Sequence, residues 1–257
     1  MASLDLVFEG FKDDSECTVS SPVFGLRARA MAYWTCGSRF FRDPETFRGI
    51  IDGLNDFCRT EYNMDAGVEK TENWWFFEIG APLRILDILI LLYDELENRD
   101  ELIRNCTDTI LHFKDAYLAS FRGKPETGAN LMWKCHILLL TGILRKDETL
   151  IEWANQQVIG LLRYSKALQI PGIGKMYDDG FYPDGSFIQH YMFFYTGGYG
   201  KHFLSILCGL LSAFRGQDLP SFVFVLSTMY PATTLVMASI IRAARIIPPT
   251  IRVSRPS

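Results

Sequence analysis

The feature that most constrains the fold is a helical spacing of apolar residues that recurs along the chain. Between Glu78 and Leu96 the apolar positions form one broad stripe, made of Ile79, Leu83, Ile85, Leu86, Ile88, Leu89, Leu92 and Leu96. This spacing places side chains on one face of an α-helix, whereas a half-buried strand would alternate apolar and polar residues. The sequence therefore predicts a helix over residues 78–96.

Similar spacing predicts several more helices. They cover residues 101–120, 130–144, 148–168 and 202–214. Segments rich in glycine and proline separate some of them and indicate loops at helix ends, namely 122–125, 170–174 and 182–185. Because no convincing run of period-two strands accompanies them, we predict an all-α architecture of stacked antiparallel helix pairs.

Length and charge narrow the classes of function. A chain of 257 residues, of which 48% are hydrophobic, can bury a sizeable core as one large domain or two small ones. The net charge of -4 argues against nucleic acid as a partner, and against a general basic surface for acidic polymers. Any site for a polyanion must therefore consist of a few local residues. We also expect the chain to be a monomer.

The sequence leaves the cellular compartment open. The 6 cysteines show no C-x-x-C pair, so buried thiols and one or two disulfides are both compatible with their spacing. Residues 1–10 carry Asp5 and Glu9 where a signal peptide would have a basic start and an apolar core. No standard export signal is visible.

Residues 219–241 have the outline of a membrane span. They contain no charged residue, and Arg242 and Arg245 follow them. Pro231 and several Ser and Thr residues weaken this outline, because spans are usually richer in Leu, Ile and Val. Membrane association through 219–241 is therefore possible but not favoured, and we expect buried helices instead.

A first polar and aromatic cluster contains Asn73, Trp74 and Trp75, directly before the predicted helix. Two adjacent tryptophans cannot both face one core, so we expect at least one of them in a cleft or on a surface. Indole faces stack on the C–H faces of sugar rings, and Asn73 can form hydrogen bonds with hydroxyl groups. A packed helix entrance is the alternative, and the residues alone do not choose between the two.

A second cluster, residues 127–130, places Asn130 at the start of a predicted helix. An uncharged amide there can donate to a carboxylate beside the positive end of the helix dipole. Taken alone, a helix cap is the better interpretation of Asn130.

The third cluster comprises residues 179–190 and 195–200 and mixes glycine, aromatic and polar residues. His190 and Tyr199 are a plausible pair for proton transfer, since one titrates near neutral pH and the other is a weak acid. Glycines at 197, 198 and 200 are expected to let the chain bend sharply and present Tyr199. A structural histidine is the alternative.

In this order, the three clusters resemble polysaccharide lyase family 8, which contains hyaluronate, chondroitin AC and xanthan lyases. The resemblance covers residues 73–211 and is carried by the motifs NWW at 73–75, TGAN at 127–130, DGFYPDGSFIQH at 179–190 and GYG at 198–200. Within the family, the likeness is greatest to the viral branch, baculovirus occlusion-derived-virus envelope proteins with chondroitin lyase activity.

The resemblance implies a fold and a set of roles. The fold is an incomplete α/α toroid of helical hairpins, and the substrate is an acidic polysaccharide cleaved without a metal or another cofactor. Asn130 matches the asparagine that binds the uronate carboxylate, His190 the histidine that acts as the base or assists it, and Tyr199 the tyrosine that protonates the leaving oxygen. Trp74 and Trp75, with Asn73, correspond to the sugar-binding platform.

Two departures from the family pattern concern the C-terminal part. Arg245 corresponds to the fourth catalytic residue, but of its surroundings only Ile247 also matches. Family members continue into β-sheet domains that wall the cleft, whereas this chain ends at Ser257. We therefore predict one domain over 1–257, with an N-terminal helical part at 1–70, the catalytic motifs at 71–215 and a divergent or truncated part at 216–257.

The same departures keep a second function open. A lyase descendant could serve as a catalytically weak or inactive glycan-binding or structural protein of virion-envelope type. The joint presence of Asn130, His190 and Tyr199 favours the enzyme, because a purely structural descendant has no need of all three. Either function is compatible with a secreted or virion-associated protein, which is the localisation that the resemblance favours.

Overall fold

The computed structural model describes residues 21–64, 74–112, 126–170 and 174–213. It divides into two compact units. The first contains the described residues of Met1–Glu126 together with Lys134–Ala154, and the second contains Thr127–Trp133 and the described residues of Asn155–Ser257.

Helices build the first unit. Within residues 21–112 they are α1 (Pro22–Trp34), α2 (Pro44–Thr60), a π-helical turn (Phe76–Gly80), α3 (Ala81–Leu92), a 3₁₀ turn (Tyr93–Glu95) and α4 (Arg99–His112). Proline stands in the first turn of α1 and α2, where its missing N–H has no helical partner to lose. Helix α1 packs on α2 and α3, and α4 packs on the same two helices.

The stripe predicted over residues 78–96 forms part of the core of the first unit. Ile85, Leu86 and Ile88 are fully buried, and so are Ile50 and Leu54 of α2. The predicted helix is confirmed at its centre. At its N-terminal end α3 is preceded by the wider π-helical turn Phe76–Gly80, and at its C-terminal end it is followed by the tighter 3₁₀ turn Tyr93–Glu95.

Three further helices are α5 (Gly128–Arg145), α6 (Glu148–Leu161) and α7 (Lys201–Ala213). They confirm the helices predicted at 130–144 and 202–214. The prediction for 148–168 was too long, because α6 ends at Leu161 and Ala167–Ile170 form a strand.

Five short strands lie between α6 and α7, where the sequence predicted only loops and the end of a helix. Strands β1 (Ala167–Ile170) and β2 (Gly174–Tyr177) form an antiparallel hairpin. Strands β3 (Gly180–Phe181), β4 (Phe187–Gln189) and β5 (Phe193–Phe194) form a second antiparallel sheet in the order β3-β4-β5. Strands this short show no detectable alternation, so only the pairing between them reveals them.

The centre of the second sheet is an aromatic cluster. Phe187 of β4 is fully buried, and its ring lies 4.8 Å from the ring of Phe181 and 5.8 Å from that of Phe203 on α7. This cluster fixes β4 against α7 and so determines where the residues that follow β4 are placed.

Other sequence interpretations concern cysteines and the membrane. Cys36, Cys58, Cys106, Cys135 and Cys208 are free thiols, and Cys17 lies outside the described residues. Within the described part of the chain, no helix has the length and apolar character that a membrane crossing requires. Residues 219–241 lie outside that part.

Candidate active site

His190 and Tyr199 come together in the second unit. His190 directly follows β4, and Tyr199 lies in a π-helical turn, Thr196–Gly200, that leads into α7. The imidazole Nε2 and the phenol oxygen are 3.2 Å apart, and the two rings meet edge to face with their centres separated by 5.2 Å. The imidazole tautomer decides which group donates, so the pair can pass a proton in either direction.

The backbone at His190 adopts an unusual conformation. His190 and Tyr191 have φ angles of 58° and 65°, in the left-handed region that non-glycine residues rarely occupy. Such strain persists only where surrounding contacts enforce it, and it concentrates at functional sites. The strained turn leaves the His190 side chain exposed beside Tyr199.

The turn that carries Tyr199 is bound to β4. The Phe187 N–H donates to Oγ1 of Thr196 at 3.0 Å, and the Tyr195 N–H donates to the Phe187 carbonyl at 2.8 Å. Gly200 lies so close that a Cβ there would be 2.9 Å from Cβ of Phe187. Close packing, and not a left-handed backbone, is therefore what requires glycine at position 200.

This finding corrects the prediction for the three glycines. None of Gly197, Gly198 and Gly200 is among the residues with positive φ in the described part of the chain. A Cβ at Gly197 would meet nothing within 4 Å. The bend comes from the π-helical turn itself, whose hydrogen bonds include that from the Gly200 N–H to the Tyr195 carbonyl, 3.0 Å long.

Asn130 does not cap helix α5. The helix starts at Gly128, and Asn130 already lies inside its first turn. The backbone N–H of Ala129 instead donates to Oε1 of Gln189, at 3.0 Å. The capping interpretation of Asn130 is therefore wrong, because a side chain from β4 serves that end of the helix.

The Asn130 amide is buried and incompletely bonded. The residue is 4% exposed, and its Oδ1 accepts no hydrogen bond from the residues that the structure describes. Buried polar atoms normally have partners, so an orphaned one calls for a bound water or a ligand. Rotation about the last side-chain bond can present either the oxygen or the NH₂ group of the amide.

Trp133 lies on the same helix as Asn130 and contacts Tyr199. It lies three residues after Asn130 on α5, which places both side chains on one face of the helix. The Trp133 ring is 5.9 Å from the ring of Tyr199 and 5.3 Å from that of His202 on α7. The N-terminal part of α5 thus contacts, through Trp133, the segment that carries the predicted acid, and sequence reasoning missed both Trp133 and His202.

Trp74 and Trp75 belong to the first unit, at the entrance to the Phe76–Gly80 turn, and both are half-buried. Trp75 packs on Gly80, where a Cβ would lie 2.9 Å from its ring. Nζ of Lys134 lies 5.6 Å from the centre of the Trp74 ring, in a cation–π contact. Asn73 and Arg245 lie outside the described residues.

Lys134, which contacts Trp74, belongs to a buried ionic cluster that was not predicted from the sequence. Lys134 is 0% exposed, and its Nζ is 2.6 Å from Glu78 and 2.8 Å from Glu126. Burial raises the pKa of the Glu78 carboxyl, and the ammonium of Lys134 opposes that rise. The available signal was a lysine inside a mostly apolar stretch of α5, since a buried lysine requires a partner.

Comparisons with known proteins agree with these motifs. Residues 5–224 match polysaccharide lyase family 8, N-terminal alpha-helical domain. The chain is 34% identical over 188 residues to hyaluronate lyase HylB of Enterococcus faecalis, covering 68% of this chain and 18% of that protein. It thus spans about a fifth of the length of the curated relatives that it matches. The match to an α-helical domain confirms the predicted all-α fold.

Solved structures show the same likeness. The Streptomyces coelicolor chondroitin AC lyase in complex with chondroitin sulphate aligns with a TM-score of 0.65 and 29% identity, over 77% of this chain and 25% of the enzyme. The baculovirus envelope protein ODV-E66, a chondroitin lyase, aligns with a TM-score of 0.53 and 17% identity, over 80% of this chain and 32% of its own. The expected viral relative is thus present, as a more distant neighbour than this bacterial enzyme.

Proposed function

The chain belongs to polysaccharide lyase family 8, and on this basis we propose that it cleaves glycans containing uronic acid, chondroitin or hyaluronan, by β-elimination. The observation that carries the proposal is the 3.2 Å contact between His190 and Tyr199, because elimination needs a base and an acid that act on neighbouring atoms of one sugar. Asn130, whose buried Oδ1 accepts no hydrogen bond from the described residues, supplies the third element.

Asn130 addresses the main obstacle to the reaction. The C5 proton of a uronic acid is too weakly acidic to leave while the adjacent carboxylate carries its full charge. The NH₂ group of Asn130 donates to that carboxylate and stabilises the enolate-like transition state. One such preorganised donor contributes about 3 kcal/mol in related oxyanion sites.

The proton then moves through His190 and Tyr199. His190 or Tyr199 takes the C5 proton, the C5–H electron pair forms the C4=C5 double bond, and the bond from C4 to the glycosidic oxygen breaks. Tyr199 donates a proton to the leaving oxygen. Where His190 is the base, its contact with Tyr199 returns a proton to the phenol, so the pair is reset without consuming water.

Substrate binding requires local contacts. With a net charge of -4, the chain has no general attraction for a polyanion. Trp74 and Trp75 stack on sugar rings, together with Asn73, while Asn130 and Arg245 meet the uronate. Relatives named for hyaluronate and for chondroitin support this substrate class.

The alternative is a protein that binds acidic glycans with little or no turnover, as an envelope-type descendant of such a lyase. In this case Asn130, Trp74 and Trp75 bind the glycan, and the His190–Tyr199 pair contributes nothing.

One experiment separates the two functions. The chain is incubated with chondroitin, hyaluronan and heparin in turn, and the ultraviolet absorbance of the conjugated C4=C5 double bond is followed. We expect absorbance to grow with chondroitin or hyaluronan, and binding without absorbance would support the envelope-type alternative. If the chain binds none of the three glycans and produces no absorbance with any of them, the proposal is refuted.

A further inference from the structure

The carboxylate of Asp179 joins three segments of the second unit. Asp179 lies between β2 and β3, and its Oδ2 accepts hydrogen bonds from Oγ1 of Thr127 and from Nε2 of Gln189, both 2.7 Å long. Its Oδ1 accepts the backbone N–H of Tyr191 at 2.8 Å. Hydrogen bonds to a charged acceptor are among the stronger ones in proteins.

Two of these bonds determine where Asn130 is held. Thr127, directly before α5, donates a hydrogen bond to Asp179. Gln189, which also donates to Asp179, accepts the N–H of Ala129 at 3.0 Å. The residue directly before Asn130 is therefore fixed.

Gly128 completes this arrangement. Its φ is +58°, and a Cβ there would lie 2.8 Å from Cβ of Asp179 and 2.5 Å from Oε1 of Gln189. Any side chain at position 128 would push the helix start away from Asp179. The close approach of α5 to the carboxylate therefore depends on glycine.

The same carboxylate holds both neighbours of His190. Gln189 precedes it and donates to Oδ2, while Tyr191 follows it and donates to Oδ1. His190 and Tyr191 both have left-handed backbone angles, which need enforcement from outside the turn. The hydrogen bonds to Asp179 hold His190 and Tyr191 in these backbone angles, and this conformation directs the imidazole toward Tyr199.

We propose that Asp179 is a positioning residue that sets Asn130 and His190 in register with each other, although it contacts neither the sugar nor the reacting atoms. The proposal rests on the function proposed above. It differs from a general structural role in one respect, because it requires a carboxylate that accepts on both oxygens. An asparagine at position 179 has one acceptor oxygen. In place of the second oxygen it has an NH₂ group, which would face another hydrogen-bond donor.

The test compares Asp179→Asn with Asp178→Asn in the full chain. Asp178 is the adjacent acid, its side chain is exposed, and that side chain makes no hydrogen bond with the described residues, so it controls for the lost charge. Three quantities are measured: amide hydrogen exchange at Tyr191 and Ala129, the ¹⁵N shifts of the His190 imidazole, and kcat and KM on chondroitin.

In Asp179→Asn we expect the Tyr191 amide to exchange about 10- to 100-fold faster, as loss of a hydrogen bond to a charged group implies. The His190 shifts should move. We expect kcat to fall by about 10- to 100-fold, since small displacements of reacting groups have effects of that size, with KM little changed. Asp178→Asn should resemble the wild type in every measurement.

The proposal is overturned if Asp179→Asn matches Asp178→Asn in amide exchange and His190 shifts. It is also overturned if kcat falls only in proportion to the fraction of folded protein. If Asp179→Asn does not fold, Thr127→Val decides: it removes one donor, and it should lower kcat at unchanged KM and expose the Ala129 amide to exchange. Unchanged behaviour of Thr127→Val would then refute the proposal. A wild type without lyase activity would refute the proposed function alone, because exchange and shifts still test the positioning.

Discussion

The imidazole of His190 lies edge to face against the phenol of Tyr199, with Nε2 and the hydroxyl oxygen 3.2 Å apart. The two residues are held by different elements, since one follows strand β4 and the other belongs to the turn before α7. Hydrogen bonds between Phe187 of β4 and that turn fix the distance between them.

The first prediction removes the Tyr199 hydroxyl and keeps its ring. In Tyr199→Phe we expect kcat to fall about 100-fold or more, because the leaving oxygen loses its proton donor, while glycan binding stays nearly intact. Product absorbance and equilibrium binding measure the two effects. Tyr195→Phe is the matched control, because this neighbouring ring lies 5.3 Å from Tyr199 and loses the same atom. Wild-type turnover in Tyr199→Phe would end the assignment.

The second prediction concerns the sugar platform. Trp74→Ala and Trp75→Ala should each weaken chondroitin binding about three- to tenfold and change kcat less, since stacking acts on ground state and transition state alike. Trp74→Phe retains an aromatic face and should keep most of the affinity. Binding unchanged in both alanine variants would assign the two tryptophans to the core.

The third prediction follows from the raised pKa of Glu78. A carboxyl whose pKa is higher in the folded than in the unfolded protein binds protons preferentially in the folded state, so it stabilises the fold at low pH. That contribution is lost as pH rises from the ordinary value of 4.5 through the raised pKa.

In that pH window the titration of Glu78 lowers the unfolding free energy as pH rises. We therefore expect the unfolding free energy of Glu78→Gln to depend less steeply on pH there. Denaturant unfolding at a series of pH values measures it. Glu97→Gln removes the same charge from an exposed position and should keep the wild-type slope. An equal slope in Glu78→Gln and wild type would show that the buried carboxyl does not titrate in this way.

The fourth prediction separates two neighbouring glycines. A Cβ at position 200 would lie 2.9 Å from Cβ of the buried Phe187, so Gly200→Ala must displace the turn or the strand. Overpacking of this kind costs about 1–3 kcal/mol of stability, and we expect turnover to fall because Tyr199 moves away from His190.

Gly197→Ala is the control for that variant, since a Cβ there would meet nothing within 4 Å. We expect its melting temperature and turnover to stay near those of the wild type. If the two variants were equally active, the packing of Gly200 on Phe187 would not determine where Tyr199 lies.

The amino-acid sequence by itself determined the helical class and which residues are candidates for the chemistry. The apolar stripe of α3 is a local property, because a helix brings residues three and four positions apart onto one face. Asn130, His190 and Tyr199 lie in short motifs, and their roles were predicted from the resemblance of those motifs to the family. Such signals need no knowledge of what the chain folds against.

Only the tertiary structure decided how those residues are held. Strand β4, the pairing of Lys134 with Glu78 and Glu126, and the carboxylate of Asp179 all depend on contacts between distant parts of the chain. The same holds for the cap expected from Asn130, because Gln189 serves that end of α5 by accepting the N–H of Ala129, 60 positions away. Burial and long-range hydrogen bonds are set by packing, and no local spacing of residue types encodes their distances.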